Sequence, residues 1–191
     1  NVAIDIWTSC EIKPLANSEI KIVSIDLSKT WNFKNIDELF NSTDESVLFY
    51  QCIFRPFKAE LLKLKSGFAM TTGSESPIGG GLGGSSSLVI SILKSLHALL
   101  KMELPEPTKL VFLAHNIEAE MLRTPTGTQD YFPAVTGGVN VIDYSSHKMS
   151  LKVSPVSQTP IAEHFKKCVM SRCEADIFEI IVFSAGTDTF L

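Results

Sequence analysis

The eleven residues from Pro77 to Ser87, PIGGGLGGSSS, constrain this chain more than any other stretch, because five of them are glycine. They stand between two apolar segments. Gly67 to Thr72 (GFAMTT) reads as a short strand, and Ser87 to Leu100 has the length and apolarity of a buried helix. Glycines let a backbone turn tightly and bring its N–H groups close to a ligand with no Cβ in the way. A helix opening directly after them adds unsatisfied amide donors and a positive dipole end. Together these features make an anion site, and phosphate is its usual occupant. The serines at positions 85 to 87 add hydroxyls that could reach a metal ion carried by that phosphate. The competing reading is a flexible linker followed by ordinary helix caps. Pro77 and Leu82, embedded between apolar elements, weigh against it.

Spacing narrows the type of loop. Gly79-x-x-x-x-Gly84 begins like a P-loop, but Ser85 stands where that loop needs lysine. Gly79-x-Gly81-x-x-Gly84 satisfies the dinucleotide fingerprint, as any run of glycines would. The second strand ending in an acid, which that fold needs, is missing: Met102-Glu103-Leu104-Pro105 is short and broken by proline. Composition removes other classes. Of 191 residues, 45% are hydrophobic and 20% charged, enough to bury a core without disulfides or metals. The formal net charge of −4 lacks the basic excess of a nucleic-acid binder, yet a local loop can still hold a small anion. Cys10, Cys52, Cys168 and Cys173 form no CxxC pair and have no histidine at metal-ligand spacing, which suits free thiols in a reducing compartment. His97, His115, His147 and His164 read as structural. No apolar run reaches membrane-spanning length and no signal peptide is visible, so a cytoplasmic protein without a membrane or nucleic-acid partner is expected. Both ends look cut.

Along the chain, residues 1–12 and Glu19 to Leu27 alternate as strands, with Pro14 and Asn17 in the turn between them. Ser42-Thr43-Asp44-Glu45 starts a helix through Val47 to Phe54, which Pro56 should break or kink. Thr108 is expected to cap a second long helix ending near Leu122. Residues 124–130 (TPTGTQD) form a turn-rich loop, and Gly137-Gly138 leads into a strand from Val139 to Tyr144. Residues 145–160 read as loop or edge, Ile161 to Arg172 as a helix, and Phe178 to Ser184 as a buried strand. Strands and helices mix without regular βαβ alternation, which indicates α+β.

Two carboxylates stand out. On the helix after Thr108, Leu110, Leu113, Ala114, Ile117 and Met121 repeat at helical spacing. With Val111 and Leu122 included, Glu118 lies roughly 50° from the apolar centre and Glu120 roughly 110°. Glu118 therefore points inward and needs partners. A salt bridge to Arg123 or Lys109 would serve; so would a Mg²⁺ ion, which takes one or two carboxylates together with phosphate oxygens and water. Asp130, at the end of its loop, is by itself most simply a turn-capping residue.

The loop resembles that of the GHMP kinases (galactokinase, homoserine, mevalonate and phosphomevalonate kinases), which has the form Pro-x-x-x-Gly-Leu-Gly-Ser-Ser. Pro77, Gly81, Leu82, Gly83 and Ser85 fall on that pattern, while Gly84 replaces its first serine. The Gly-Leu-Gly-Gly-Ser-Ser form, the preceding GFAMTT and the Gly-x-Gln-Asp spacing of Gly127 to Asp130 are similar to the heptose-phosphate and related sugar kinases. The order Glu118, Pro125, Gly127, Asp130, Gly137, Gly138 also follows the family. The resemblance implies an α+β fold with a mixed sheet packed against helices (ribosomal protein S5 domain 2-like). It implies ATP held by Pro77, Gly79, Gly80, Gly81, Leu82, Gly83, Gly84, Ser85 and Ser86, and Mg²⁺ held by Ser85 and Glu118. It implies Asp130 as the residue that orients or deprotonates the acceptor hydroxyl, with Thr126, Gly127, Gln129 and Tyr131 lining the pocket for a sugar or sugar phosphate. A non-sugar alcohol as acceptor, or a non-catalytic regulator of the same fold, are the alternatives. The expected layout is an N-terminal ATP-binding domain over residues 1–177, its first motif missing, and a strand over 178–191 leading into an absent C-terminal domain. Such a piece is expected to be inactive or nearly so by itself. A homodimer is compatible with all of this.

Overall fold

The computed structural model describes residues 3, 6–78, 80–137, 140–145, 150–155 and 182–183. Strand β1 (Thr8–Pro14) shows the alternation expected of a sheet with one covered face: Thr8, Cys10 and Ile12 are buried, while Ser9, Glu11 and Lys13 are exposed. The same pattern holds in β2 (Ile20–Ser24), which is hairpin-paired with β3 (Lys29–Phe33). It holds again in β4 (Phe68–Ser74). With β7 (Val182–Phe183) the sheet runs β3-β2-β4-β1-β7; β2 lies parallel to β4, β1 antiparallel to β4, and β7 parallel to β1. This is the mixed sheet expected. Register then stacks the buried residues in rows. Ile12, Met70, Ile22 and Trp31 form one row, and Cys10, Thr72 and Ser24 form the next.

Helices cover that face. The helix α1 (Ile36–Asn41) opens at Asn35, whose side chain accepts from the Glu38 amide at 2.9 Å. Asp44 caps a 3-10 turn, Glu45–Val47, that leads into α2 (Leu48–Phe54), as the Ser/Thr/Asp start predicts. As expected, α2 is broken ahead of Pro56, at Phe54. Pro56 sits in a 3-10 turn, Arg55–Phe57, between α2 and α3 (Lys58–Leu61), where a first-turn residue needs no amide donor. The long helices are α4 (Gly84–Leu99) and α5 (Pro107–Leu122). Thr108 is not the cap of α5. Glu106 holds that place without a side-chain bond, and Pro107 takes the first helical position, where its fixed φ suits the turn.

The chain from 131 onward departs from the expected direct passage into a strand. A short helix, α6 (Tyr131–Thr136), intervenes before β5 (Asn140–Ser145), which pairs with β6 (Ser150–Pro155) in a separate two-stranded sheet. Within the stretch read as loop or edge, β6 is an edge strand of that sheet. The helix expected at 161–172 lies outside the described residues, as do His147, His164, Cys168, Cys173, Gly79 and Gly138. Of the strand expected at 178–184, only β7 is described. No helix among the described residues is long and apolar enough to cross a membrane.

Helix α4 lies on β1 through a stripe of small polar residues. The Ser87 and Ser91 hydroxyls lie 2.8 and 3.1 Å from the Thr8 hydroxyl, and Ser95 donates to the Cys10 carbonyl at 3.1 Å. All are buried, so the hydroxyls satisfy one another where a larger side chain would hold helix and strand apart. This contact aims the N-terminus of α4 past the end of β4, where the glycine loop lies.

Candidate active site

The loop closes in stages. The Gly80 amide donates to the Pro77 carbonyl at 2.9 Å, and the Ser87 amide opens α4 by donating to the Gly83 carbonyl at 2.9 Å. Gly83 is the N-cap and has φ +72°, a left-handed conformation that a Cβ would disfavour. Having no side chain, it cannot cap the helix, and the amides of Gly84, Ser85 and Ser86 are left without helical acceptors. Gly84 is required by packing: a Cβ there would stand 2.5 Å from the Ser76 Cβ. The start of α4 is therefore packed tightly against residues 74 to 76, which weighs against a flexible linker at this point.

The three serines that follow part company. Ser87 turns into β1, as described. Ser86 is buried beside the Tyr131 hydroxyl. Ser85 donates to Oε1 of Glu118 at 2.6 Å. Glu118 is where its helical angle predicts. Leu110, Val111, Ala114 and Ile117 bury the inner stripe of α5, and Glu118 beside them is only 9% exposed. Glu120 lies outside and pairs with Arg55. The salt bridge considered for Glu118 is not formed; its partners are hydroxyls, Ser85 on Oε1 and Tyr131 on Oε2.

Asp130 is the N-cap residue of α6, yet its carboxylate makes no capping bond. The turn-capping reading therefore does not account for it. Its side chain packs on the N-cap of α4, where a Cβ added to Gly83 would lie 3.3 Å from the Asp130 Cβ. Asp130 remains exposed to solvent, but partial burial of its carboxyl holds it above the ordinary carboxylate range, and the nearby negative charge of Glu118 adds to the shift. Two carboxylates from different elements thus converge on one helix N-terminus, at the wall of a cavity of about 600 Å³.

The other expected site residues divide. Pro77, Gly80, Gly81, Leu82, Gly83, Gly84, Ser85 and Ser86 border the cavity, as do Thr126 and Gly127. The Thr126 hydroxyl is buried near that of Tyr131 without forming a proper hydrogen bond. Gln129 is exposed and does not border the cavity; its side chain lies over Gly127. Tyr131 does not border the cavity either. It is fully buried, and burial together with the Glu118 carboxylate pushes its phenol well up. Its place is beneath the site, because the first turn of α6 directs it into the core.

Two histidines bear out a structural role. His97 Nδ1 lies 2.8 Å from the Leu93 carbonyl with its ring on Phe57, and His115 Nε2 lies 3.0 Å from the Thr126 carbonyl, tying α5 to the 124–130 loop. Cys10 and Cys52 are free and buried. The opposite cavity wall, formed by Ser24, Asp26, Leu27, Phe49 and Tyr50, has no signal in the sequence. Those residues reach the site only because β2 runs parallel to β4 and the Tyr50 hydroxyl meets that of Thr72 at 2.8 Å. No group of three or more His, Cys, Asp or Glu side chains that could hold a metal occurs among the described residues.

The chain is similar in sequence and fold to known proteins. Residues 48–138 match the family described as GHMP kinases N terminal domain. The chain is 28% identical over 148 residues to the D-glycero-alpha-D-manno-heptose 7-phosphate kinase of Campylobacter jejuni, covering 78% of this chain and 43% of that protein. It superposes with a TM-score of 0.63 on the crystal structure of a D-glycero-D-manno-heptose 1-phosphate kinase from Bacteriodes thetaiotaomicron, at 26% identity over 82% of this chain and 50% of the other. The mevalonate kinase of Methanococcus jannaschii matches with a TM-score of 0.65 at 22% identity, over 86% of this chain and 50% of its own, a likeness of fold. The chain thus spans about half the length of these relatives.

Proposed function

From the premise that residues 48–138 are a GHMP kinase N-terminal domain, we propose that the protein is an ATP- and Mg²⁺-dependent kinase that phosphorylates a hydroxyl of a sugar or sugar phosphate. One observation carries the reading. Glu118 and Asp130, from separate elements, meet at the open N-terminus of α4, on the wall of a cavity large enough for a nucleotide. The heptose-phosphate kinases among the relatives support the choice of acceptor class.

The chemistry follows from the side chains. The free amides of Gly84, Ser85 and Ser86, with the positive end of α4, suit the phosphates of ATP. Ser85 and Glu118 are hard oxygen donors on the cavity wall, the chemistry Mg²⁺ takes, and each Glu118 oxygen keeps a lone pair beyond its hydroxyl partner. Mg²⁺ held there would offset the charge of the phosphoryl oxygens during transfer. Asp130 aligns the acceptor hydroxyl for in-line attack and accepts its proton; its raised pKa makes it a stronger base than an ordinary aspartate. Thr126 and Gly127, which border the cavity, would line the acceptor pocket. Phosphoryl transfer depends mainly on positioning and charge stabilisation, so these few groups suffice.

The test uses the full-length protein. Mg²⁺-dependent ATP consumption is measured against a panel of sugars and sugar phosphates, for the wild type and for Asp130→Asn. Turnover with one acceptor class is expected, falling on the order of 10²–10⁴-fold in the variant, while ATP still binds. Undiminished turnover in Asp130→Asn removes that residue from the mechanism. Absence of ATP consumption across the panel rejects the kinase reading for sugars.

A further inference from the structure

We propose that Tyr131 is a positioning residue for this site: its hydroxyl locks the Glu118 carboxylate against Ser85, and its place at the head of α6 seats Asp130 on the N-cap of α4. The inference rests on the kinase reading above and assigns a part to a residue that never touches the cavity.

The two oxygens of Glu118 are held by hydroxyls of different elements. Ser85 of α4 donates to Oε1 at 2.6 Å, and Tyr131 of α6 donates to Oε2. A carboxylate with a single partner can rotate about its last torsion, which is broad and roughly two-fold. One gripped at both oxygens cannot rotate without breaking a charge-assisted hydrogen bond. The Tyr131 ring is fully buried, so its own freedom is spent in the core, and the hydroxyl is delivered from a fixed point. The Ser86 and Thr126 hydroxyls lie close to it.

Chain connectivity ties Tyr131 to the second carboxylate as well. Asp130 immediately precedes Tyr131, and its side chain lacks a capping bond that would set its direction. What places Asp130 against Gly83 is the seating of α6, through the buried Tyr131, Phe132, Pro133 and Ala134. Of these, Tyr131 alone reaches a site carboxylate. One phenol therefore sets the metal-ligand carboxylate directly and the proton-accepting carboxylate through the backbone. A residue that served only as core packing would have no use for the hydroxyl.

Tyr131→Phe in the full-length protein keeps the ring and removes the hydroxyl. Binding of a fluorescent ATP analogue is followed across a Mg²⁺ titration, with melting temperature recorded alongside. The wild type should bind more tightly as Mg²⁺ rises, and Tyr131→Phe should need roughly tenfold more Mg²⁺ for the same effect. Glu118→Gln should lose the response, and adding Tyr131→Phe to it should change nothing further. An unchanged Mg²⁺ midpoint in Tyr131→Phe, even with a lowered melting temperature, overturns the positioning role and leaves the kinase reading intact. Wild-type nucleotide binding that ignores Mg²⁺ overturns both. Should Tyr131→Phe not fold, wild-type protein with carbon-13 at tyrosine Cζ answers the question. The Tyr131 resonance should move when Mg²⁺ joins bound nucleotide and stay still in Glu118→Gln; a resonance that ignores Mg²⁺ in the wild type also overturns the proposal.

Discussion

The carboxyl of Asp130 is held above the ordinary carboxylate range, first by burial and then by the charge of Glu118. A group whose folded-state pKa is raised binds its proton more tightly when folded, so its ionisation at neutral pH costs stability. Asp130→Asn removes that cost. Because Asp130 stays largely open to solvent, which screens this cost, the variant should melt only marginally higher than the wild type at pH 7 without metal or nucleotide, by about 1 °C or less. The gain should vanish as pH falls below the ordinary aspartate pKa, where both forms are neutral. Calorimetry at pH 7 and pH 3.5 checks the sign; a lower melting temperature at pH 7 would mean that the carboxylate is stabilised by something other than the groups described. At this scale the sequence carried some roles and not others. The inward angle of Glu118 follows from the periodicity of α5 and is met at 9% exposure. The burial of Tyr131 does not follow from its loop, because that depends on a helix starting at residue 131.

At the scale of the element, α4 is the part on which the site is built. Its N-terminus is aimed by Ser87, Ser91 and Ser95 meeting β1 on the inner side, and opened by glycines on the outer side. Gly84 gives a sharp test. In an ordinary first helical turn, Gly→Ala stabilises by roughly 0.4–1 kcal/mol through the unfolded chain. Here the new methyl would stand 2.5 Å from the Ser76 Cβ and 2.7 Å from its hydroxyl. Gly84→Ala should instead destabilise by roughly 1–3 kcal/mol, as overpacking does, and weaken nucleotide binding in the same protein. Denaturant unfolding with nucleotide titration measures both; a stabilised variant would show that the loop does not fold back on residues 74 to 76. The glycine run between two apolar segments made α4 legible in advance. Helix α6 was not, because six residues containing Pro133 show no period, and their helix exists only by packing on α4 and α5.

For the whole molecule, the buried face of the sheet is where cooperativity should reside, and Cys10 reports on it. Strand β1 lies between β4 and β7 with α4 across its face, and burial pushes the Cys10 thiol up to about 12. The thiolate is the reactive form, so at pH 8 Cys10 should alkylate only when the sheet opens, at a rate set by global unfolding. Mass spectrometry after a timed iodoacetamide pulse, with and without denaturant, checks this; rapid native labelling would place the opening of β1 well below global unfolding in cost. Alternation along residues 8 to 14 and 20 to 24, the helical stripe of α5 and the glycine loop were readable from residue order, because each depends on neighbours a few positions away. Strand order, the parallel pairing that brings Ser24 and Asp26 to the cavity, and the meeting of Glu118 with Asp130 and Tyr131 join residues distant in the chain. The local pattern decided what each segment is and which side it buries; only packing of those buried sides against one another decided which carboxylates face the same cavity.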